Sequence, residues 1–525
     1  MAGAGERAGT ATGREGRRTN GFFAVWAVTS LVLVLLCGLW SLSTPIPSGP
    51  DEPTQYVKAA AVANGTLTGA HPPNLPRGTV LVRVLGTFVM YDPAIGCYYL
   101  QPLVPAGCTP LPGADPSVQA TTTYVGEYPP LYYALTGLPS LVSGDPLARR
   151  AMRAVSAVLS AALLGLAMAA VLHWSRSRWL VVGSVLTVTP TTLYLASVLN
   201  PNGLEISAAV AAWTAGVLLV FQHAEGPPRG LVAVFAGSSA VLALTRPLSP
   251  VWVAGIVLAL AVVRPAATRR LLADAAVRVG LGVIGVTVVG AALYVVANDS
   301  LAIERFPLPP GLSNLEIAAL LIGQIPLHLR SMVGQFGGPE FTAPAVAVLI
   351  WLVGVGALVY AAVSLSRARD AAAFALVVLA VLVVVPFGAS FPGARTNGLA
   401  WQGRYGYPAV AGIPLLATAL LAGAGARLGR AGGMVVVAVM IGHIATFYWV
   451  LRRYTVGLGP FVNAFAEVPG GWNPPLPAVV LVGLVAATVV GSGMWLMSCL
   501  ARPLRLETPS APSADVAAPG ALLSL

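Results

Sequence analysis

Run after run of about 20 apolar residues, each long enough to cross a hydrocarbon layer as a helix, leaves this chain few ways to fold. In lipid the backbone N–H and C=O groups find no water, so such runs become helices that satisfy them internally. We read twelve spans, near 22–43, 152–173, 179–198, 204–223, 230–245, 247–263, 278–297, 344–365, 371–387, 405–423, 433–451 and 476–499. The fifth and sixth are short and meet at Thr245-Arg246-Pro247, the expected tip of one tight hairpin. Charge agrees with this reading. Asp, Glu, Lys and Arg make up 9% of the 525 residues, against about 25% in a soluble domain. A water-soluble surface or a disordered chain needs far more. The expected fold class is an all-α polytopic membrane protein with about twelve transmembrane helices.

The formal charge of +11 is then a matter of topology rather than of nucleic-acid binding. With the N-terminus inside, Arg176, Arg178, Arg229, Arg264, Arg269, Arg270, Arg367, Arg369, Arg427, Arg430, Arg502 and Arg505 fall on the cytoplasmic side. That side holds 17 basic and 7 acidic residues, and the outer side 13 and 12. The positive-inside rule is met with both termini cytoplasmic. Residues 1–21 read as a cytoplasmic N-terminal tail, 22–500 as the transmembrane domain, and the Pro/Ala/Ser-rich 501–525 as a disordered cytoplasmic tail.

Length is concentrated outside, in a first extracytoplasmic loop at 44–147 and a second large one at 298–343. Cys97 and Cys108 lie in the first loop, an oxidising location, so a disulfide is expected there. Closing so small a loop is worth about 3 kcal/mol on chain-entropy grounds. No His or Cys spacing suggests zinc, and no P-loop, serine-hydrolase elbow or HExxH is present. No metal ligands are assigned.

Five motifs carry polar chemistry toward the outer ends of spans. PDEPTQY, Pro50 to Tyr56, holds Asp51 and Glu52 between two prolines that stiffen the backbone. Near the membrane interface a carboxylate can become a useful general base; the plainer alternative is Asp51 as the N-cap of a helix through Ala63. GEYPPLYYALTG, Gly126 to Gly137, is too short to span and reads as an interfacial or re-entrant segment, with Glu127 and Tyr128 at its head. Asn200-Pro201-Asn202-Gly203 followed by Glu205 separates the third and fourth spans. Arg246 in TRPLSP and Arg404 in WQGRYGYP stand at span ends, where an arginine either anchors at the interface, pairs with Glu205 or Glu340, or binds phosphate oxygens in a bidentate fork. Gln402 and Tyr405 flank Arg404.

Taken in order, PDEP after the first span, YPP before the second, NPNG, TRP, and QGRY opening a late span resemble a family of uncharacterised bacterial multi-pass membrane proteins. That family is similar in layout to the GT-C glycosyltransferase superfamily. The resemblance covers about residues 22–500. It implies a GT-C-like fold in the bacterial cytoplasmic membrane, an acidic site in the first outer loop and a polyprenyl-phosphate-linked sugar as donor. Asp51 would be the catalytic carboxylate with Glu52 beside it, Arg404 the motif arginine, and Arg246 the replacement for a family lysine. Two positions depart: Thr54-Gln55 stand where the family has a His after PDEP-A, and Asn202 stands for the acid of its S-P-D motif. Both bear on any divalent metal, the one candidate cofactor.

The resulting expectation is a membrane glycosyltransferase that moves a sugar from a polyprenyl-phosphate donor to an envelope glycan or glycoprotein. Asp51 and Glu52 would be catalytic; Arg404, Arg246, Gln402, Tyr405, Glu127, Tyr128 and Asn202 would bind substrate. The alternatives are a transporter or flippase of a lipid-linked precursor, which calls for broken helices lining a path, and a non-catalytic envelope-assembly subunit.

Overall fold

Helices that are apolar on every side are either buried among other helices or face lipid, and this chain has both kinds. The computed structural model describes residues 5–90, 97–108, 113–301, 307–459, 463–466, 468 and 470–501. The expected C-terminal tail lies almost wholly outside these residues. Helix α1 (Gly5–Leu42) contributes its apolar part, Gly21–Leu42, as the first span. It stops just before Pro45 and Pro47, whose missing N–H groups cannot continue a helix.

The first loop is folded as a cap rather than strung out. Helix α2 (Glu52–Ala63) is followed by strands β1 (Val80–Leu85) and β2 (Val118–Thr123), paired antiparallel with Val80 opposite Thr123 and Leu85 opposite Val118. Alternation in VLVRVL buries Val80, Val82 and Val84 on one face. This small sheet is the one sheet among the described residues, and the sequence pattern did not announce it. Short helices α3 (Leu131–Thr136) and α4 (Pro139–Val142) then lie between α2 and α5 (Pro146–Trp174). Tyr56, Phe88, Tyr132 and Tyr133 of the cap share one core with Met152 of α5, so cap and membrane domain are packed together.

The third span is two helices, α6 (Trp179–Thr187) and α7 (Pro190–Ser197), bent by 53°. The break falls at Pro190, and Thr189 caps the new helix by accepting from the Thr192 N–H. α8 (Pro201–Gln222) is the central helix, with every residue from Pro201 to Val220 buried. α9 (Arg229–Ala243) and α10 (Ser249–Val263) flank a tip at residues 244–248. α11 (Pro265–Leu271) bends off by 113°, and α12 (Ala275–Ala297) follows. α13 (Asn314–Gly323) and α14 (Ile325–Val333) lie in the second large loop.

α15 (Ala345–Leu365) precedes a span formed by α16 (Ala368–Leu379), a π-helical turn at Ala380–Val384, and α17 (Val385–Ser390). The short α18 (Ala394–Asn397) leads to α19 (Gly403–Val410) and α20 (Gly412–Gly423), then α21 (Ala431–Thr455) and α22 (Ala478–Ala501). α12, α15 and α22 leave Val and Leu exposed along much of their length, as helices bordered by lipid do.

Among the described residues 9 helices are long and apolar enough to span a membrane, or up to 11 when each bent pair counts as one span. The place of the remaining expected span is held by α9, which at 15 residues is a shorter apolar helix. The protein is a multi-pass helical membrane protein.

Candidate active site

α2 begins directly after Asp51, yet Asp51 does not cap it. Its backbone is left-handed, φ 57° and ψ 12°, and its side chain makes no capping hydrogen bond. A non-glycine residue in that region costs about 1–2 kcal/mol and needs surroundings that hold it. They are present. The Asn200 side-chain amide donates to the Pro50 carbonyl at 2.7 Å, and the Tyr194 hydroxyl to the Ser48 carbonyl at 3.1 Å. Gly49 is required just upstream, because a Cβ there would sit 2.9 Å from Glu52 Oε2 and 2.9 Å from Val198 Cβ.

The strongest clamp on this turn is Glu52. Its oxygens accept Arg153 Nε and Nη2, each at 2.6 Å, together with the backbone N–H groups of Gly49 (2.8 Å) and Leu199 (3.0 Å). Arg153 spends its remaining donors on the carbonyls of Ser41, Thr44 and Pro45 at the end of α1. Both side chains are buried. The structure therefore turns Glu52 away from Asp51 and into an ion pair that joins α1, α2, α5 and the chain before α8.

The Asp51 carboxylate faces the other way. Oδ1 accepts the Tyr124 hydroxyl at 2.6 Å, and Oδ2 accepts Arg404 Nη2 at 2.7 Å. Arg404 is delivered by the first turn of α19, which runs tight against α14. A Cβ on Gly403 would collide with Ser331 Oγ and the His328 carbonyl, and the Gly403 N–H donates to Ser331 Oγ at 3.2 Å. Glycine in QGRY is thus a packing requirement.

Arg404 and Arg246 both lie over the Tyr405 ring, with guanidinium carbons 5.1 and 5.0 Å from its centroid, a doubled cation–π contact. Arg246 also lies 5.8 Å from the Tyr128 ring. Its own partner is Glu205, at 3.0 Å from Nη1. Glu205 is fully buried and further held by Ser249 Oγ (2.7 Å) and Asn202 Nδ2 (3.3 Å). Of the two acids considered as arginine partners, Glu205 takes Arg246, while Glu340 accepts the Leu100 N–H. Burial pushes the Tyr128 phenol pKa up, with Arg246 opposing it.

Several donors around this cluster are unspent. Arg246 Nε, Arg404 Nε, Trp252 Nε1 and Trp401 Nε1 are buried without a hydrogen-bond partner, as is the acceptor Gln402 Oε1. The Trp401 ring stands edge-on to Tyr405 at 6.1 Å and to Trp252 at 6.3 Å. Buried donors normally find partners, and donors on arginine and indole suit an anion with several acceptor oxygens.

Asp51, Arg404, Arg246, Tyr405 and Tyr128 are thus brought together, and Asn202 supports them through Glu205. Glu127 is not part of the cluster. Its carboxylate lies 3.3 Å from His71 Nε2, and burial raises its pKa against the opposing pull of His71. Gln55 is buried and accepts the Tyr133 hydroxyl at 2.7 Å. Tyr124, Arg153, Ser249 and Trp252 were not singled out in the sequence. Ser249 lies inside the TRPLSP motif, but Tyr124 and Arg153 carry no local signal. Cys97 and Cys108 are joined, Cα–Cα 6.2 Å, and their loop is bound to the end of α21 by Arg453, which donates to the carbonyls of Tyr98 and Val104 at 2.6 Å.

A divalent metal does not fit these residues. Among the described residues no group of three or more His, Cys, Asp or Glu could hold one. Asp51 is faced by a guanidinium and a hydroxyl donor, which oppose a second cation.

The fold has likenesses among solved structures. ArnT from Cupriavidus metallidurans in the apo state is 15% identical with a TM-score of 0.44, covering 92% of this chain and 76% of ArnT. The same protein bound to undecaprenyl phosphate gives 16% and 0.42, covering 90% of this chain and 76% of ArnT. No curated protein matches. Residues 33–413, well over half of the chain, match the family described as "Predicted membrane protein (DUF2142)", and the protein belongs to that family.

Proposed function

We propose that the protein is a membrane glycosyltransferase, moving a sugar from a polyprenyl-phosphate donor to a cell-envelope acceptor on the outer side of the cytoplasmic membrane. The observation that supports this most directly is a carboxylate, Asp51, in contact with a buried arginine that has a second arginine across one tyrosine ring. Glycosyl transfer from a lipid phosphate needs both kinds of group. A base takes the proton of the acceptor hydroxyl, and cations stabilise the departing phosphate. In the reading we favour, the bond from the anomeric carbon to the phosphate oxygen breaks with its electron pair going to the phosphate. The acceptor oxygen bonds to the anomeric carbon, and its proton passes to Asp51. Arg404 and Arg246 hold the phosphate, with Trp401, Gln402 and Tyr405 around it. Glu52 serves the site by fixing the turn that presents Asp51, and Asn202 supports it through Glu205.

The outer location rests on the arginine-rich short loops at the opposite ends of the spans. The test is sugar transfer from lipid-phosphate donors by purified protein, with folding checked separately. Asp51→Asn keeps size and hydrogen bonding but removes the base, and should lower turnover by about two to four orders of magnitude. Arg404→Lys should weaken donor binding and turnover together, because an ammonium cannot reproduce the fork. Full activity in Asp51→Asn removes this residue from the mechanism. An inert wild type offered several donors turns the reading to a transporter of a lipid-linked precursor or a non-catalytic assembly subunit, the second of which Gln55, standing where the resemblance implies a His, also favours.

A further inference from the structure

The two arginines of the cluster are neutralised in different ways. Arg246 is paired with a carboxylate that is fully buried and held by two further side chains, Ser249 and Asn202. That pair has nowhere to go. Arg404 is paired with Asp51, whose side chain is 28% exposed against 6% for the arginine, and which is otherwise held by the Tyr124 hydroxyl. Among the described residues two guanidiniums, Arg246 and Arg404, face two carboxylates, Glu205 and Asp51, so these four groups together offer no net positive charge to an incoming anion. Yet Arg404 Nε and Arg246 Nε are both buried and unpartnered, the state of donors that await acceptor oxygens.

We propose that Asp51 and the substrate phosphate are alternative partners of Arg404, so that binding of the phosphate releases the carboxylate that then acts as base. The proposal rests on the reading of the site as one for a lipid phosphate. The physical argument is competition for one cation. A carboxylate in contact with a guanidinium is a poor base, because the positive charge favours its ionised form. A phosphate, with more oxygens, can engage Nε and Nη2 of Arg404 side-on, where a single Asp51 oxygen now holds Nη2 alone. Once Asp51 leaves, Arg404 is the described guanidinium without a carboxylate, its charge is met by the phosphate, and Asp51 regains basicity beside the acceptor. The cluster therefore holds its base inactive until donor is present, which protects against proton transfer without a sugar to move. After transfer, the proton on Asp51 passes to outer water as the lipid phosphate departs, and the Arg404 contact re-forms.

The experiment measures affinity of the purified full-length protein for farnesyl phosphate, with inorganic phosphate in parallel to separate a lipid headgroup from free phosphate. Removing the competitor should tighten binding, so Asp51→Asn should bind farnesyl phosphate about tenfold more tightly than wild type, the scale of one charge-assisted hydrogen bond. Tyr124→Phe, which loosens Asp51 without removing it, should shift affinity in the same direction by a smaller factor and covers the case in which Asp51→Asn does not fold. Arg404→Gln should abolish the gain in the Asp51→Asn background. Equal or weaker binding by Asp51→Asn and Tyr124→Phe overturns the exchange while leaving the lipid-phosphate reading in place. Tight binding of inorganic phosphate alone relocates the exchange to a free-phosphate site and overturns the lipid reading. Absence of binding of either probe to any of these proteins overturns both.

Discussion

Two neighbouring carboxylates, Asp51 and Glu52, end in opposite environments. Glu52 is enclosed with Arg153 and has four donors, while Asp51 stands in a left-handed turn facing Tyr124 and Arg404. Adjacency in PDEP made them look like one acidic site; the helix that starts between them separates their side chains. A buried pair deprived of one partner leaves an uncompensated charge, so Arg153→Met should destabilise the protein by about 3–5 kcal/mol, and Glu52→Gln similarly. Thermal unfolding in detergent checks this, and replacing both, Glu52→Gln with Arg153→Met, should recover part of the loss. If Arg153→Met melts like wild type, the clamp contributes nothing to the fold. Asp51→Asn should lower the melting temperature less than Arg153→Met does, because the Asp51 side chain is 28% exposed where Glu52 is fully buried.

At the scale of elements, α2 is tied to the cap by Lys58, whose ammonium donates to the carbonyls of Leu67 and Gly126 and lies 5.7 Å from the Tyr133 ring. Burial drives its pKa down to about 7, with Glu127 opposing. In the unfolded chain the lysine keeps a proton up to about pH 10.4. Between those values the unfolded state binds more protons, so this group makes folding more favourable as pH rises through that window. The stability of wild type relative to Lys58→Met should therefore increase from pH 6.5 to 9.5, read as the difference in melting temperature; a flat difference would show that Lys58 titrates normally. α19 shows the same dependence of an element on its neighbour. QGRY contains the arginine, but only α14, close enough to exclude any side chain at Gly403, sets the direction in which Arg404 points.

For the whole molecule, the charge asymmetry predicts that the cap and the loop between α8 and α9 lie on opposite sides of the membrane. In a background without other accessible thiols, Asn74→Cys should label from outside and Gly226→Cys only from the cytoplasm. Labelling of both from one side would invert the reading of the site as extracytoplasmic. The approximate number and places of the spans were already legible in the chain, because a hydrocarbon layer imposes length and apolarity on each helix locally, whatever its neighbours. The motif arginines and Asp51 were legible for a related reason: charge at a span end is costly enough to stand out. Which carboxylate meets which arginine was not. Asp51 and Arg404 are separated by 353 positions, Glu52 and Arg153 by 101, and Glu205 and Arg246 by 41. No local pattern encodes such pairings, nor the hydrogen bond from Tyr124 or the strands that carry it there. They depend on how the spans pack side by side and on a cap folded back over α5 and α8, where contact between distant residues, rather than the hydropathy of near ones, decides the outcome.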